Sequence, residues 1–231
     1  AVTTPAKLEA DRNNLYLSRG PRFRMDAEMV RDYALAVSGL LPDQMFGPSV
    51  RPYQPEGIWD IVGLPGGDTR NYVQDTGANL YRRTLYTFWK RMAPPPNLEA
   101  FNAPSREVCT VRRERTNTPL QALVTLNDPQ FVEAARRLAE LALESASGDS
   151  SQLINTIASR VLGRALHDTE LEIALDSSQE LLEYYRAHPD DAQALVAVGA
   201  SQPNPKLDTA ELAAWTMLCN EFLNLDEALN K

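Results

Sequence analysis

Apolar positions recur along this chain mostly with a helical period, interrupted by stretches that proline and glycine punctuate. Residues 25–41, "MDAEMVRDYALAVSGLL", place Met29, Tyr33, Ala36 and Val37 at i, i+4, i+7 and i+8. Asp26 precedes them as an N-cap, Glu28 stands in the first turn and Gly39 lies near the stop, so a helix is expected. From residue 118 onward the pattern is helical throughout. Thr118 followed by Pro119, and Asp128 followed by Pro129, each read as an N-cap with proline at the first helical position. Phe131, Ala134, Ala135, Leu138, Leu141 and Ala142 then share a face, as do Leu153, Ile154, Ile157, Val161 and Leu162. Further helices are expected after Asp168, after Pro189 and over the segment holding Leu212, Trp215, Leu218, Cys219 and Phe222.

The first half reads differently. Residues 1–24 are polar and irregular. Residues 42–78 hold five prolines and six glycines, yet Met45, Phe46, Val50, Tyr53, Ile58, Trp59, Ile61, Val62 and Leu64 are too apolar for a disordered linker. A long ordered loop packed on the helices is the expectation. In "LYRRTLYTFWKRM" (80–92), Leu85, Thr87 and Trp89 alternate with Tyr86, Phe88 and Lys90, which favours a strand over the competing amphipathic helix. "APPPNLEAFNAPSRE" reads as a polyproline-like connector, and "VCTVRRER" (108–115) as a second strand. The pattern therefore predicts a mainly α, multi-helix domain with a long ordered Pro/Gly-rich loop and a small two-stranded β ribbon. A single domain over 1–231 is expected, with a subdivision into 1–147 and 148–231 as the alternative.

Composition narrows the function classes. No run of apolar residues is long enough to span a membrane. The net charge of −8 is unevenly spread: residues 1–118 hold 16 Lys and Arg against 13 Asp and Glu, while residues 119–231 hold 7 against 18. An acidic half of that size argues against general nucleic-acid binding. Two cysteines make neither a disulfide framework nor a zinc site, and no Cys-x-x-Cys-His is present to attach haem, so no cofactor is expected in this chain. A Cys109–Cys219 bridge stays open for an exported protein. His167 and His188 stand at helix boundaries and read as end residues rather than ligands. The aromatics Tyr81, Tyr86, Phe88, Trp89 and Phe101 read as core cover, with stacking on a sugar ring as the alternative.

The candidate chemistry gathers in residues 106–118. On a strand, Arg113 and Arg115 would share a face with Cys109 and Val111, just before a helix N-terminus at Thr118. Two guanidinium forks, Asn117, Thr118 and free N–H groups could then converge on a carboxylate, sulfate or phosphate. The competing reading pairs these arginines with the protein's own carbonyls and carboxylates, with Thr116, Asn117 and Thr118 as turn and cap. Asp75 and Asp128 are the candidate proton-handling partners in an enzymatic version.

The segments "GPRFRMDAEMVRD", "GPSVRPYQPEGIWD", "YRRTLYTFWKRMAPPP", "NAPSREVCTVRRERTNTPLQALVTLNDPQFVEAAR" and "FLNLDEALNK" resemble the C-terminal domain of unknown function of large planctomycete proteins. The likeness runs from about residue 12 to the end, and it is most specific over 81–135. It implies a C-terminal fragment of a larger protein, exported to the periplasm or cell surface, whose other domains include a planctomycete-type cytochrome c domain. It implies no reaction. A non-catalytic binding or scaffolding domain is the resulting expectation, recognising an acidic glycan or docking the cytochrome c domain. The alternatives are part of a polysaccharide-active oxidoreductase or hydrolase coupled to the haem domain, and a purely structural assembly domain.

Overall fold

The computed structural model describes residues 4–20, 23–60, 62–63, 66–67, 70–145 and 148–231 of the chain. The architecture is mainly helical: α1 (Pro5–Ala10), α2 (Ala27–Val37), α3 (Pro96–Ala100), α4 (Pro119–Asn127), α5 (Pro129–Ser145), α6 (Ser150–Leu162), α7 (Asp168–Ala187), α8 (Pro189–Val196), α9 (Thr209–Asn224) and α10 (Asp226–Leu229). Local signals set these boundaries. Thr118 and Asp128 hold extended backbones before Pro119 and Pro129, and the Asp128 carboxylate accepts the Gln130 N–H at 2.9 Å. Asp149 caps α6 through the Ser151 N–H, Gly163 ends it in the left-handed region at φ +75°, and Asp208 caps α9 through the Glu211 N–H.

α9 is the central helix, packed against α5, α7 and α8 and touching α4, α6 and α10. Leu138, Ile154, Ile157, Ala213, Leu218 and Cys219 are almost wholly withdrawn from water in this core. Burying each large aliphatic side chain contributes about 1.5–3 kcal/mol. A second cluster joins α2 and α3 to the rest through Met25, Val30, Ala34, Leu98, Phe101, Phe131 and Leu229. On α2 the inward face is Ala27, Val30, Arg31, Ala34 and Leu35, one step round from the stripe expected from sequence, and Met29 stays 44% exposed.

The two-stranded ribbon does not form. Residues 108–115 are irregular, and the segment before them folds into 3-10 turns at Gly77–Tyr81 and Thr84–Tyr86. Among the described residues the β pairing is limited to isolated bridges, such as Val50 with Thr87. The physical reason lies in the backbone groups of 80–84, which side chains of α2 engage in place of a partner strand. The expected polyproline connector likewise winds into α3. In the Pro/Gly-rich stretch, Val50 and Trp59 are 1% exposed, and Tyr72 meets Trp59 edge to face at 4.9 Å. Ile61 and Leu64, named above as apolar members of that stretch, lie outside the described residues, as do 146–147 beside the alternative domain boundary.

Polar groups hold this half of the molecule to the helices. Arg31 of α2 donates to the carbonyls of Leu80 (2.7 Å) and Arg82 (2.8 Å), to Thr84 Oγ1 (3.1 Å) and to Gln130 Oε1 of α5 (2.5 Å). Its neighbour Asp32 accepts the Thr84 N–H at 2.7 Å and the Thr84 hydroxyl at 2.6 Å. Burial pulls the Arg31 guanidinium down to about 10, so it is charged at neutral pH. One turn along α5, Glu133 accepts from Tyr53 Oη, Tyr81 Oη, the Ser201 N–H and Ser201 Oγ, all within 2.8 Å. Gly199 passes so close that an added Cβ would lie 2.4 Å from the Glu133 carboxyl carbon, and its φ of +98° also favours glycine. Arg136 and Glu140 continue the stripe, paired at 2.9 Å.

Replacing Arg31 with methionine leaves the Leu80 and Arg82 carbonyls without their donor. Arg31→Met is expected to cost about 3–5 kcal/mol, seen as a lower urea midpoint at unchanged slope in equilibrium unfolding.

Candidate functional site

Residues 106–131 are an irregular loop followed by two capped helices, and the loop lies against the start of α2. Arg113 forms a two-pronged pair with Glu28, at 2.5 Å to Oε2 and 3.0 Å to Oε1. Arg115 reaches Asp26 at 3.4 Å and stacks over the Phe23 ring at 5.3 Å. Asp26 and Glu28 occupy the cap and first turn of α2, where negative charge also meets the positive end of the helix dipole. Arg106 stacks over Trp89 at 4.7 Å. The two arginines engage separate carboxylates of the same chain, Glu28 and Asp26, at the start of α2.

The end of the loop is tied down by neutral groups. Thr116 Oγ1 accepts from Asn102 at 2.7 Å and from Gln121 Nε2 at 3.0 Å. Gln121 also donates to the Ala100 carbonyl and accepts from Arg24 Nη2. The cavity among Arg24, Asp26, Asn102, Arg115, Thr116 and Gln121 has a volume of about 10 Å³. That holds one water and excludes a phosphate or a sugar carboxylate. Asn117 is exposed, and Thr118 caps α4 by backbone conformation, without a side-chain hydrogen bond.

The candidate acids are engaged elsewhere. Asp75 exchanges two hydrogen bonds with the Arg51 backbone, accepting at 2.7 Å and donating at 2.9 Å. Asp128 caps α5, and burial pushes its carboxyl upward against the pull of Gln130, Asn97 and Arg31. The cysteines are both free: Cys109 is exposed on the loop, and Cys219 is buried in the core, where burial drives its thiol upward. The bridge left open from sequence is not formed.

What the sequence reading missed is the orientation of α4. Gln121 and Thr125 are 1% exposed, whereas Leu120 is 58% and Leu123 57% exposed. The helix buries its polar side because the groups facing it are polar: Thr125 Oγ1 meets Asn224 Oδ1 at 2.7 Å, and Asn220 Nδ2 donates to the Leu126 carbonyl at 2.9 Å. On the preceding loop Val108 (74% exposed) and Val111 are exposed as well, as is Arg112. In "PLQALVTLN" apolar residues lie almost all round the helix, so periodicity alone could not show which side faces in.

Burial alone would raise the Glu28 carboxyl, but the hydrogen bonds and charge of Arg113 outweigh it, and the group titrates below its usual 4.5. A carboxyl depressed in the folded state contributes stability above the unfolded value and loses it as pH falls through the folded one. Arg113→Ala is therefore expected to cost about 1 kcal/mol at pH 7, allowing for solvent screening of a part-exposed pair. Urea unfolding at a series of pH values should show that difference shrinking below about pH 4.5 and vanishing once Glu28 is protonated. A thiol reagent should label Cys109 promptly in the native protein and reach Cys219 only on unfolding, measured as one equivalent before denaturant and two after.

The family model of PSD1, protein of unknown function (DUF1553), matches residues 1–177. No curated protein and no solved structure matches the chain. Because that match covers more than half of the 231 residues, the chain belongs to the PSD1 family of proteins of unknown function (DUF1553).

Proposed function

We propose that the domain is a non-catalytic docking module of a larger exported protein, and that it meets its partner through the outward face of α4 and the loop before it. The observation that carries this reading is the inverted helix, with Gln121 and Thr125 inside and Leu120 and Leu123 outside. A buried polar side and an exposed apolar one are the informative departures from the usual pattern. Exposed apolar side chains with an exposed arginine in the loop before them are the composition of a contact surface.

The chemistry of the face defines what fits it: an apolar surface carrying carboxylates, meeting Leu120, Leu123, Val108 and Val111 with Arg112 at the rim. A cytochrome c domain of the same polypeptide, in the periplasm or at the cell surface, is the neighbour that the resemblance of the sequence suggests. An acidic glycan at Arg113 and Arg115 is disfavoured, since both guanidiniums are paired with α2.

Leu120→Ser combined with Leu123→Ser tests this reading. Both side chains are exposed, so stability should change by no more than about 0.5 kcal/mol per site in thermal unfolding. Binding of the domain to the remainder of its polypeptide, followed by pull-down with purified pieces, should fall about tenfold or more. Undiminished binding by the folded double variant would overturn the proposal.

A further inference from the structure

The end of α5, the start of α6, the middle of α7 and the start of α9 meet around a pocket of about 240 Å³. Leu143, Leu153, Leu182 and Leu207 give it apolar walls, and Trp215 completes them. Glu211 and Trp215 stand four residues apart on α9 and so share a side of that helix. The volume is below the range of sites for drug-sized ligands and suits a single small ring.

Five polar side chains also line this pocket: Trp215, Ser150, Ser178, Gln179 and Glu211. Trp215 is only 6% exposed, yet its indole N–H bonds none of the described residues and is not sealed from water. A buried indole N–H ordinarily finds a partner, so an unpaired one in a pocket wall is a donor available to a ligand. The Ser150 hydroxyl and the Glu211 carboxylate likewise bond none of the described residues. Ser178 donates its hydroxyl proton to the Leu175 carbonyl at 2.7 Å, and Gln179 donates its amide to Glu183 at 2.6 Å. The Ser178 oxygen and the Gln179 side-chain carbonyl are thereby left as acceptors.

This inventory selects the ligand. Among the described residues the lining carries one carboxylate, Glu211, and no cation. Lys206 adjoins Leu207 in sequence without lining the pocket, and the carboxylates of Asp149 and Asp208 cap α6 and α9. An anion would meet Glu211 with no counter-charge. An ammonium satisfies Glu211 but cannot accept from Trp215. A hydroxyl both donates and accepts, and a ring bearing several hydroxyls also offers C–H surface to the leucines. We propose that this pocket binds a neutral polyhydroxylated ring of monosaccharide size, with Trp215 Nε1 and Ser150 donating to it and Glu211 accepting from it. The site shares no residue with the α4 surface, so it goes beyond the docking reading and does not rest on it.

Titration of the chain with D-glucose, D-galactose and D-mannose, followed by tryptophan fluorescence, tests the site. At least one of the three should give a saturable change with a dissociation constant on the order of 1 mM, the strength expected of so small a ligand. Trp215→Phe should remove that change, which assigns it to this tryptophan rather than to Trp59 or Trp89. Glu211→Ala should weaken binding about tenfold or more, and Ser150→Ala about threefold, as expected for one charged and one neutral hydrogen bond. Both residues reach solvent, so these two variants carry the test even if Trp215→Phe does not fold. The uronic acid of the sugar that binds, which adds one carboxylate, should bind about tenfold more weakly. No saturable response to any of the three sugars up to about 50 mM overturns the proposal. So does a uronic acid that binds equally well, or undiminished binding by the folded Glu211→Ala variant.

Discussion

Arg31 is buried, so its charge must be solvated by protein atoms, and the atoms that do so belong to two separate parts of the chain, the turns at 77–86 and α5. Its guanidinium bonds the carbonyls of Leu80 and Arg82, the hydroxyl of Thr84 and the amide oxygen of Gln130 on α5. A buried cation is costly unless its donors are matched, so its presence on α2 dictates that the turns at 77–86 fold against α2 and α5. Asp32 reinforces the same register from the next residue, by taking the Thr84 N–H. The irregular half of the molecule is thereby attached to the helical half by polar contacts, at a place where an apolar seam would have been the ordinary solution.

The parts of the fold that could be read from sequence are those where a local rule and the tertiary packing agree. Thr118-Pro119 and Asp128-Pro129 announced α4 and α5 because capping and the fixed φ of proline are properties of a few adjacent residues. The stripe Phe131, Ala134, Ala135, Leu138 and Ala142 was visible because all of them pack inward. The same helix hid Gln130, Glu133, Arg136 and Glu140, which are equally buried, since a polar residue shows its depth only through partners distant in sequence. The alternation at 85–90 looked like a strand, but alternation cannot report that Arg31 and Asp32 engage the neighbouring backbone. Arg113 and Arg115 stood out as candidates for an anion, and the carboxylates they engage, Glu28 and Asp26, lie too far along the chain for spacing to identify.

Charge is organised in two ways in this protein. Arg113 and Arg115 hold a loop to the first turn of α2, where their partners also meet the helix dipole, so they act as a strap. Arg164, by contrast, bridges α7 and α10 at the surface and leaves an acidic border around an apolar groove. α4 explains why the apolar residues beside the strap face outward: its inner neighbours Arg24, Thr116 and Asn224 demand hydrogen-bonding partners, which Gln121 and Thr125 supply. Meeting those demands inside leaves the leucines nowhere to go but out. The exposed apolar residues of α4 are a by-product of polar satisfaction within.

The position of Arg31 also bears on how the molecule comes apart. A segment without helix or strand, such as much of 42–90, would ordinarily fray early, one end at a time. Here, releasing it strands the Arg31 guanidinium, takes from Asp32 its Thr84 donors and takes from Glu133 its two tyrosine hydroxyls. Partial opening is then less favourable than either extreme. The least regular part of the chain is thus bound into the cooperative unfolding of the helices, and its order is a property of the whole rather than of its own sequence.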